Sequence, residues 1–441
     1  MLINIHSIPI IYMEYKTTYR FRIYPNQTQI QTIDDILYLS HILYNDMLEQ
    51  RKMAYELNRD FYESLKVNYN TQSVELSKLK NEFPEYKNIH SQVLQNVADR
   101  LDKSYDSFFR RIKEKKNGKK IKAGFPRFKS RDQYRSITYP QSGFRILDNT
   151  HTFFSKIGKI RMFQHREIRG KIKQATIKKD KADNYSVTFI VEERADNNIN
   201  CSEFPYNPVG IDVGLLKLIA TTDNTPVDPP KYLRKSEKKL KRAQRSLSRK
   251  QKGSKNRREM RVRVAGLHIH ISNQRNDFSQ KLSRKLVDNH NFIAYEDLNI
   301  ENMLKNHKLA KSIADASWGE LIINTMYKAE RAGRYCVKVN PKNTSKMCSY
   351  CGSIIGEQTL DDREYNCKVC GLTIDRDDNA AVNVLHAGFK KIFSTFIIMK
   401  PKKSRHKKKK IPTDCGKFMP VEGKPIPGKA SFSVEAGSPD L

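Results

Sequence analysis

Nowhere in this 441-residue chain do apolar residues run together for the roughly 18 positions that a membrane-spanning helix needs, which argues against integral insertion. The opening "MLINIHSIPIIYM" is apolar, yet it lacks a basic start and a small-residue cleavage site, so a secretory leader is a poor reading. Met13 offers an alternative start, with the residues before it an extension. Acidic residues are scarce: 48 Asp and Glu against 82 Lys and Arg leave a formal charge of +34. A field of that sign favours a polyanionic partner, nucleic acid before an anionic membrane surface. Cysteine is sparse as well. Seven is an odd number, and four of the seven gather in two Cys-x-x-Cys pairs, which suits a metal site in a reducing cytoplasm better than a disulfide framework. Apolar material is not lacking, since 38% of residues are hydrophobic, enough to fill the cores of two or three domains and to exclude a disordered protein.

From Tyr15, "YKTTYRFRIYP" alternates aromatic or apolar side chains with basic ones, as a half-buried strand does, and Pro25 ends it. From about 27 to 115 helical spacing takes over, through Ile36, Leu39, Ile42 and Leu43, then Leu94, Val97, Leu101, Tyr105 and Phe108. The basic link 110–131, broken by Gly118, Gly124 and Pro126, reads as an exposed arm. Between about 135 and 200 short strands follow, the last pair turning at Asp183-Asn184, so that a small β-barrel or open sheet is expected, completed by the strand at residue 15. At Val209 the pattern changes to two apolar strands joined near Gly214, and then to 231–264, which holds 16 Lys and Arg against two Glu. There Leu233, Leu240 and Leu247 keep heptad spacing, and Gly253-Ser254 turns the chain into a second helix carrying Leu267, Ile271, Phe278 and Leu282. A buried strand "NFIAYEDL", one helix "ADASWGELIINTMYKAERAG" and a strand "RYCVKVNP" complete an α/β core, and the basic tail after Met399 is expected to stay disordered.

Cys348, Cys351, Cys367 and Cys370 are spaced Cys-x2-Cys-x15-Cys-x2-Cys, which lets two tight turns present four thiolates to one tetrahedral zinc ion. Gly352 and Gly371 each follow the second Cys of a pair, where a turn often needs positive φ. Four protein ligands leave no open position, so this zinc is structural. Three places could supply the carboxylates that a two-metal nuclease must converge on its ions. Asp212 interrupts an apolar strand, where an unpartnered carboxylate is costly. Glu296 closes another strand. The cluster Asp375, Asp377 and Asp378 opens a helix whose Ala380, Ala381, Val384, Leu385 and Gly388 form a small-residue face, and these acids could equally be helix caps.

In order along the chain, "GIDVGLLKLIATTD", "FIAYEDLNIENM", "SIADASWGEL", "NPKNTSKMCSYCG" and "DRDDNAAVNVL" resemble the RuvC nuclease core of the TnpB family, the OrfB-type proteins of IS200/IS605 transposons, related to type V CRISPR effectors. Upstream, "YRFRIYPNQTQ", "GFPRFKSR" and "KYLRKSEKKLKRAQRSLSRKQKGSKNR" extend the likeness to roughly residues 15 to 390. The resemblance implies an α+β multidomain protein with an RNase H-like (RuvC) α/β nuclease core, a four-cysteine zinc knuckle, a β-barrel wedge domain and an inserted helical lobe. Its expected boundaries are an extension at 1–14; a wedge barrel at 15–26 and 118–205; a helical recognition lobe at 27–117; the nuclease at 206–346 and 373–398 with a basic helical hairpin at 231–290; the knuckle at 347–372; and the tail at 399–441. It implies an RNA-guided, Mg²⁺-dependent DNA endonuclease that pairs a transposon-derived guide RNA with double-stranded target DNA beside a short motif, in the cytoplasm at the nucleoid. Asp212, Glu296 and Asp377 become the Mg²⁺ ligands by motif, Asp377 being the acid two residues before Asn379. Family members are often labelled transposases, yet strand joining is not the chemistry expected of this chain. Two other readings stand beside this one: a non-catalytic nucleic-acid-binding regulator of transposition, and an RNA-binding structural protein, which leaves Asp212 unexplained.

Overall fold

The computed structural model describes residues 13–60, 64–195, 207–354, 363–398 and 435–436, so the extension and the tail lie almost wholly outside the described residues. Among the described residues two compact units emerge, one within 14–194 and the other within 207–398, and each is taken by itself.

In the first unit, β1 (Met13–Tyr24) buries Tyr19, Phe21 and Ile23 while Arg22 and Tyr24 face outward, as its alternation requires. Three helices follow: α1 (Gln27–Asp60), α2 (Tyr69–Glu82) and α3 (Ser91–Lys116). Asn68 starts α2 through a reciprocal capping box with Thr71. α3 buries Val93, Leu94, Val97, Ala98 and Leu101, whereas Tyr105 and Phe108 are half-buried. The exposed arm expected from residue 110 begins only past Asn117, because α3 runs to Lys116 and Gly118, at φ 84°, is where the backbone leaves the helix.

The remaining strands are β2 (Ser136–Tyr139), β3 (Phe144–Asp148), β4 (His151–Phe154), β5 (Gly158–Phe163), β6 (Lys171–Lys179) and β7 (Tyr185–Ala195). They order as β2-β6-β7-β1-β5-β4-β3, so β1 completes the sheet across the helical insertion, as expected. Among the described residues the path is open: β2 and β3 end it without pairing to each other, so the sheet does not close into a hydrogen-bonded ring there. Side chains bridge the gap instead, since the Tyr139 hydroxyl donates to the Ser155 carbonyl (2.9 Å) and its ring lies 5.3 Å from that of Phe154.

The second unit is a layered α/β domain. Its sheet comprises β8 (Pro208–Val213), β9 (Ile219–Thr221), β10 (Phe292–Glu296) and β11 (Tyr335–Val339) in the order β11-β10-β8-β9. β8, β10 and β11 run parallel, and β9 is antiparallel to β8. All five residues of β10 are buried, because helices cover both faces. Ile293 and Tyr295 join the cluster with Leu282, Val287, Trp318 and Leu321, whereas Phe292 and Ala294 pack with Val384 and Ile392. The helices are α4 (Tyr232–Ser248), α5 (Lys255–Asn289), α6 (Ile300–Met303), α7 (Ala310–Ala316), α8 (Trp318–Arg331) and α9 (Arg376–Ile398). α4 and α5 form the basic hairpin, with Leu240, Ile271 and Leu282 buried. Its base is tied down by the buried Asp315, which caps the Leu233 N–H (3.0 Å) and pairs with Arg275 (3.0 Å). The single helix expected over "ADASWGELIINTMYKAERAG" is two helices, because Ser317 adopts φ 53°, a left-handed conformation that ends α7 and restarts the chain as α8.

Two glycines let α9 lie directly on the sheet. A Cβ at Gly210 would stand 2.1 Å from the Ala381 carbonyl oxygen, and one at Gly388 would stand 2.8 Å from the Ala294 Cβ. Because the Gly210 obstacle is backbone, Gly210→Ala is expected to lift α9 from β8 and destabilise the protein by about 1–3 kcal/mol or more, the usual cost of overpacking. Urea unfolding measures this directly, and an unchanged midpoint would contradict the close approach.

Candidate active site and four-cysteine knuckle

Parallel strands bring their C-terminal ends to one edge of a sheet, the place where open α/β folds bind ligands. β8 and β10 are registered up to Ile211 opposite Tyr295, and one residue further on come Asp212 and Glu296. Asp212 is half-buried and Glu296 is buried. Burial raises the Asp212 carboxyl well above the usual carboxylate range, and the neighbouring carboxylates of Glu296 and then Asp377 raise it further. Glu296 is also raised by burial, against the pull of a hydrogen bond from the Thr344 hydroxyl. Desolvated carboxyls within range of one another's charge resist ionisation together unless a cation neutralises them, and hard carboxylate oxygens are the donors Mg²⁺ takes.

At the head of α9 the three aspartates divide their work. Asp375, the last residue of β13 (Thr373–Asp375), which pairs antiparallel with β12 (Glu364–Asn366), accepts the N–H groups of Asp377 (2.8 Å) and Asp378 (3.3 Å), and so is the helix cap. Lys217 pairs with Asp375 (3.3 Å) and Asp378 (4.0 Å). Among the described residues, the Asp377 carboxylate carries neither a cap bond nor an ion pair, which leaves it free for another partner. Asp375→Ala is therefore expected to lower stability by about 1 kcal/mol, the worth of a cap, with a modest effect on any chemistry, whereas Asp377→Asn acts on chemistry and little on stability. Thermal melts and activity of the pair separate the two roles.

The four cysteines are the set of potential metal ligands, among the described residues, whose donor atoms all lie within 4.8 Å of one another. Cys348 and Cys370 are 3.6 Å apart, as are Cys351 and Cys367, close to the roughly 3.8 Å edge of a tetrahedron with 2.3 Å Zn–S bonds. Each pair sits in the same turn. The Gly352 N–H donates to the Cys348 carbonyl and the Gly371 N–H to that of Cys367, both at 2.9 Å, with the glycines at φ 76° and 75°. Ser353 and the Cys370 N–H, both hydrogen-bonded to it, draw the Cys367 thiol down to about 6. The Cys370 thiol stands at about 12: the Leu372 N–H pulls it down, but burial and the three other thiols outweigh that. Four thiolates cannot share this space without a cation, so the donor set fits a structural zinc ion.

Residues that the sequence reading passed over join the knuckle to α9. Asn379 and Asn383, both buried, each donate a side-chain N–H to the Met347 carbonyl, at 2.8 and 2.6 Å. The Asn379 carbonyl oxygen accepts the Ser349 N–H (2.9 Å), and Asn383 also donates to the Thr344 carbonyl (2.8 Å). Their signal was available: two amides four residues apart within an otherwise small, apolar helix face.

α4 presents a different surface. Lys238, Lys241, Arg242, Arg245, Arg249 and Lys250 line one concavity along it. No helix among the described residues is long and apolar enough to cross a membrane.

Comparison with known proteins bears on the chain as a whole. A family model described as "Probable transposase" matches residues 195–307, and a "Cas12f1-like, TNB domain" model matches 318–384, a span that holds the knuckle and the head of α9. A "Helix-turn-helix domain" model matches 13–60, where the fold is a strand followed by one unbroken helix, α1. A protein of Streptomyces pristinaespiralis named "Putative RNA-guided DNA endonuclease" is 31% identical over 379 residues, covering 85% of this chain and 89% of that protein. One of Escherichia coli K12 bearing the same name with the suffix InsQ is 32% identical over 313 residues, covering 68% and 74%. The solved mini-RNA-guided endonuclease CRISPR-Cas_phi3 shares the fold, at a TM-score of 0.53 and 10% identity over 87% of this chain and 93% of its own. With two such relatives spanning most of its length, the chain belongs to the TnpB family, the OrfB-type proteins of IS605 transposons.

Proposed function

We propose that this protein is an RNA-guided, Mg²⁺-dependent DNA endonuclease whose second unit is an RNase H-like (RuvC) nuclease, with Asp212, Glu296 and Asp377 as the metal ligands. The observation that carries the reading is the placement of Asp212 and Glu296 at the neighbouring C-terminal ends of β8 and β10, with Asp377 in the first turn of α9 within range to raise the Asp212 carboxyl by its charge. A chain that only binds nucleic acid gains nothing from two desolvated acids at neighbouring strand ends with a third acid at the helix start beside them. Two bound Mg²⁺ ions would supply the positive charge that steadies the attacking and leaving oxygens of a phosphodiester. The residues supply the rest. Strand ends fix Asp212 and Glu296, the Asp375 cap fixes the helix turn that carries Asp377, and the zinc knuckle stiffens the approach to that helix.

In the same reading the first unit holds the wedge sheet, at 15–26 and 118–205, and the helical recognition lobe, at 27–117. The nuclease occupies 206–346 and 373–398, and the knuckle 347–372. Guide RNA and double-stranded target DNA are the partners, in the cytoplasm at the nucleoid. The relatives' names, the net charge and the basic face of α4 support this. The test is cleavage by the full chain, co-expressed with its flanking transposon-end sequence, on DNA with randomised flanks, in Mg²⁺ or in EDTA. Mg²⁺-dependent cuts beside one enriched motif establish the reading. RNA that co-purifies with DNA left intact in every condition favours the binding regulator instead.

Phosphate contacts release counterions, so binding is expected to weaken roughly a thousandfold between about 50 and 200 mM salt, the loss for about six contacts. Replacing Lys241, Arg242 and Arg245 by Gln should flatten that slope by about two to three in a filter-binding titration, and an unchanged slope would remove α4 from the interface.

A further inference from the structure

Thr344 lies four residues before the first knuckle cysteine, inside "NPKNTSKMCSYCG", and is neither a cysteine ligand nor one of the three proposed carboxylate ligands. It is nevertheless one of the few polar residues of the second unit that is almost wholly buried, at 5% exposure. Its hydroxyl donates to the Glu296 carboxylate. The same hydroxyl lies 3.0 Å from the Pro341 carbonyl, and with one proton it can serve one acceptor at a time. Directed at an ionised carboxylate, the bond is roughly twice as strong as one to a neutral carbonyl. Its backbone carbonyl is held in turn by Asn383 of α9 (2.8 Å), and the same amide group holds Met347, next to Cys348 (2.6 Å).

A continuous set of bonds therefore runs from the cysteine turn through Met347 and Asn383 to Thr344, and from Thr344 to Glu296. Every member is buried or half-buried, so water does not compete for these bonds as it would at a surface. A carboxylate that binds a hard cation must present a chosen oxygen at a chosen angle, and outer hydrogen-bond donors are what set that angle.

From this geometry we infer that Thr344 is the positioning residue for Glu296, and that Asn383 couples it to the knuckle, so that an assembled cysteine turn sets the metal affinity of the carboxylate site. The inference rests on the reading of Glu296 as a metal ligand, and the experiment separates the two. The full chain, wild type and variants, is titrated with Mn²⁺, free ion being counted by electron paramagnetic resonance, and zinc content and melting curves are recorded on the same samples.

Thr344→Val keeps shape and removes the hydroxyl. It is expected to weaken Mn²⁺ binding by about ten- to a hundredfold, the usual effect of losing an outer-sphere bond, while zinc content stays at the wild-type value. Thr344→Ser restores the donor and should return binding to within about twofold to threefold of wild type. Asn383→Ala should reproduce part of the loss with zinc retained. A merely structural Thr344 would shift the melting curve and leave Mn²⁺ affinity alone. Should Thr344→Val fold poorly, the Thr344→Ser and Thr344→Ala pair decides the question by the same readout. If Glu296→Gln weakens Mn²⁺ binding but Thr344→Val and Thr344→Ala do not, the positioning role is overturned and the site stands. If Glu296→Gln leaves Mn²⁺ binding intact, the site reading falls and takes this inference with it.

Discussion

Asp212→Asn is expected to stop DNA cleavage, by at least about a thousandfold, and at the same time to raise the melting temperature of the protein held free of divalent ions. The first effect follows from removing a charged ligand on which two ions would depend, and a thousandfold corresponds to about 4 kcal/mol of transition-state stabilisation. The second follows from the electrostatics of the metal-free site. Burial, Glu296 and Asp377 raise the Asp212 carboxyl above its unfolded value, so the folded protein holds a proton that the unfolded chain releases. That contribution to stability is complete below the unfolded value, near pH 4, and is lost as pH rises through the folded one. At neutral pH a neutral amide escapes the loss, so the metal-free variant should melt above the metal-free wild type, and the gap between them should close as the pH is lowered. Guide and target binding should be unchanged in a gel-shift measurement. A variant that still cuts, or one that melts lower than wild type in EDTA, would contradict the assignment of Asp212.

Loss of the knuckle ion is expected to be the second large effect. Apparent binding energies of structural zinc run to about 10–16 kcal/mol in small folded modules, most of it folding energy. The knuckle's own core is small, with Cys348, Tyr365 and Cys367 buried and Leu372 and Ile374 packed on them. Cys351→Ser with Cys370→Ser, or prolonged chelation by a zinc-selective agent, should therefore unfold this segment. Because Asn379 and Asn383 grip it, hydrogen exchange should rise in peptides covering 344–354 and 376–385, while β6 and β7 in the other unit keep their protection. Cleavage should fall by two orders of magnitude or more and should not recover on adding Mg²⁺, since a displaced Asp377 is not repaired by more metal. Full protection of 376–385 in the zinc-free protein would mean that α9 holds itself in place.

Much of the second unit could be read from the chain. Continuous apolar strands and the two cysteine pairs were legible, the carboxylate inside "VGIDVGL" called for a cation or hydrogen bonds, and the small residues of α9 anticipate how tightly it packs on β8. Other features left no such mark. The break at Ser317 falls on neither glycine nor proline, and Gly319 two residues on lies inside α8; the buried Trp318 and Leu321 on one side and Ile313 on the other fix the two helices through tertiary packing. In the first unit, period-two alternation marks strands without saying which neighbours they choose, so the placement of β1 between β7 and β5, and the failure of β2 and β3 to meet, were not legible. Thr344 looked like an ordinary loop residue, since nothing local distinguishes a solvated hydroxyl from one turned inward onto a distant strand.

The order of the acids along the chain has a consequence for synthesis. β8 leaves the ribosome with Asp212, but its partner at the head of α9 is not made until residue 377, roughly ten to thirty seconds later at ordinary elongation rates of about 5–20 residues per second. Between those moments the nascent chain already displays the Lys- and Arg-rich face of α4 and lacks a complete set of carboxylates. On the proposed assignment, any product of early termination before residue 377 keeps the basic face of α4 without the third acid, and would compete with the full-length protein for polyanions without cutting them.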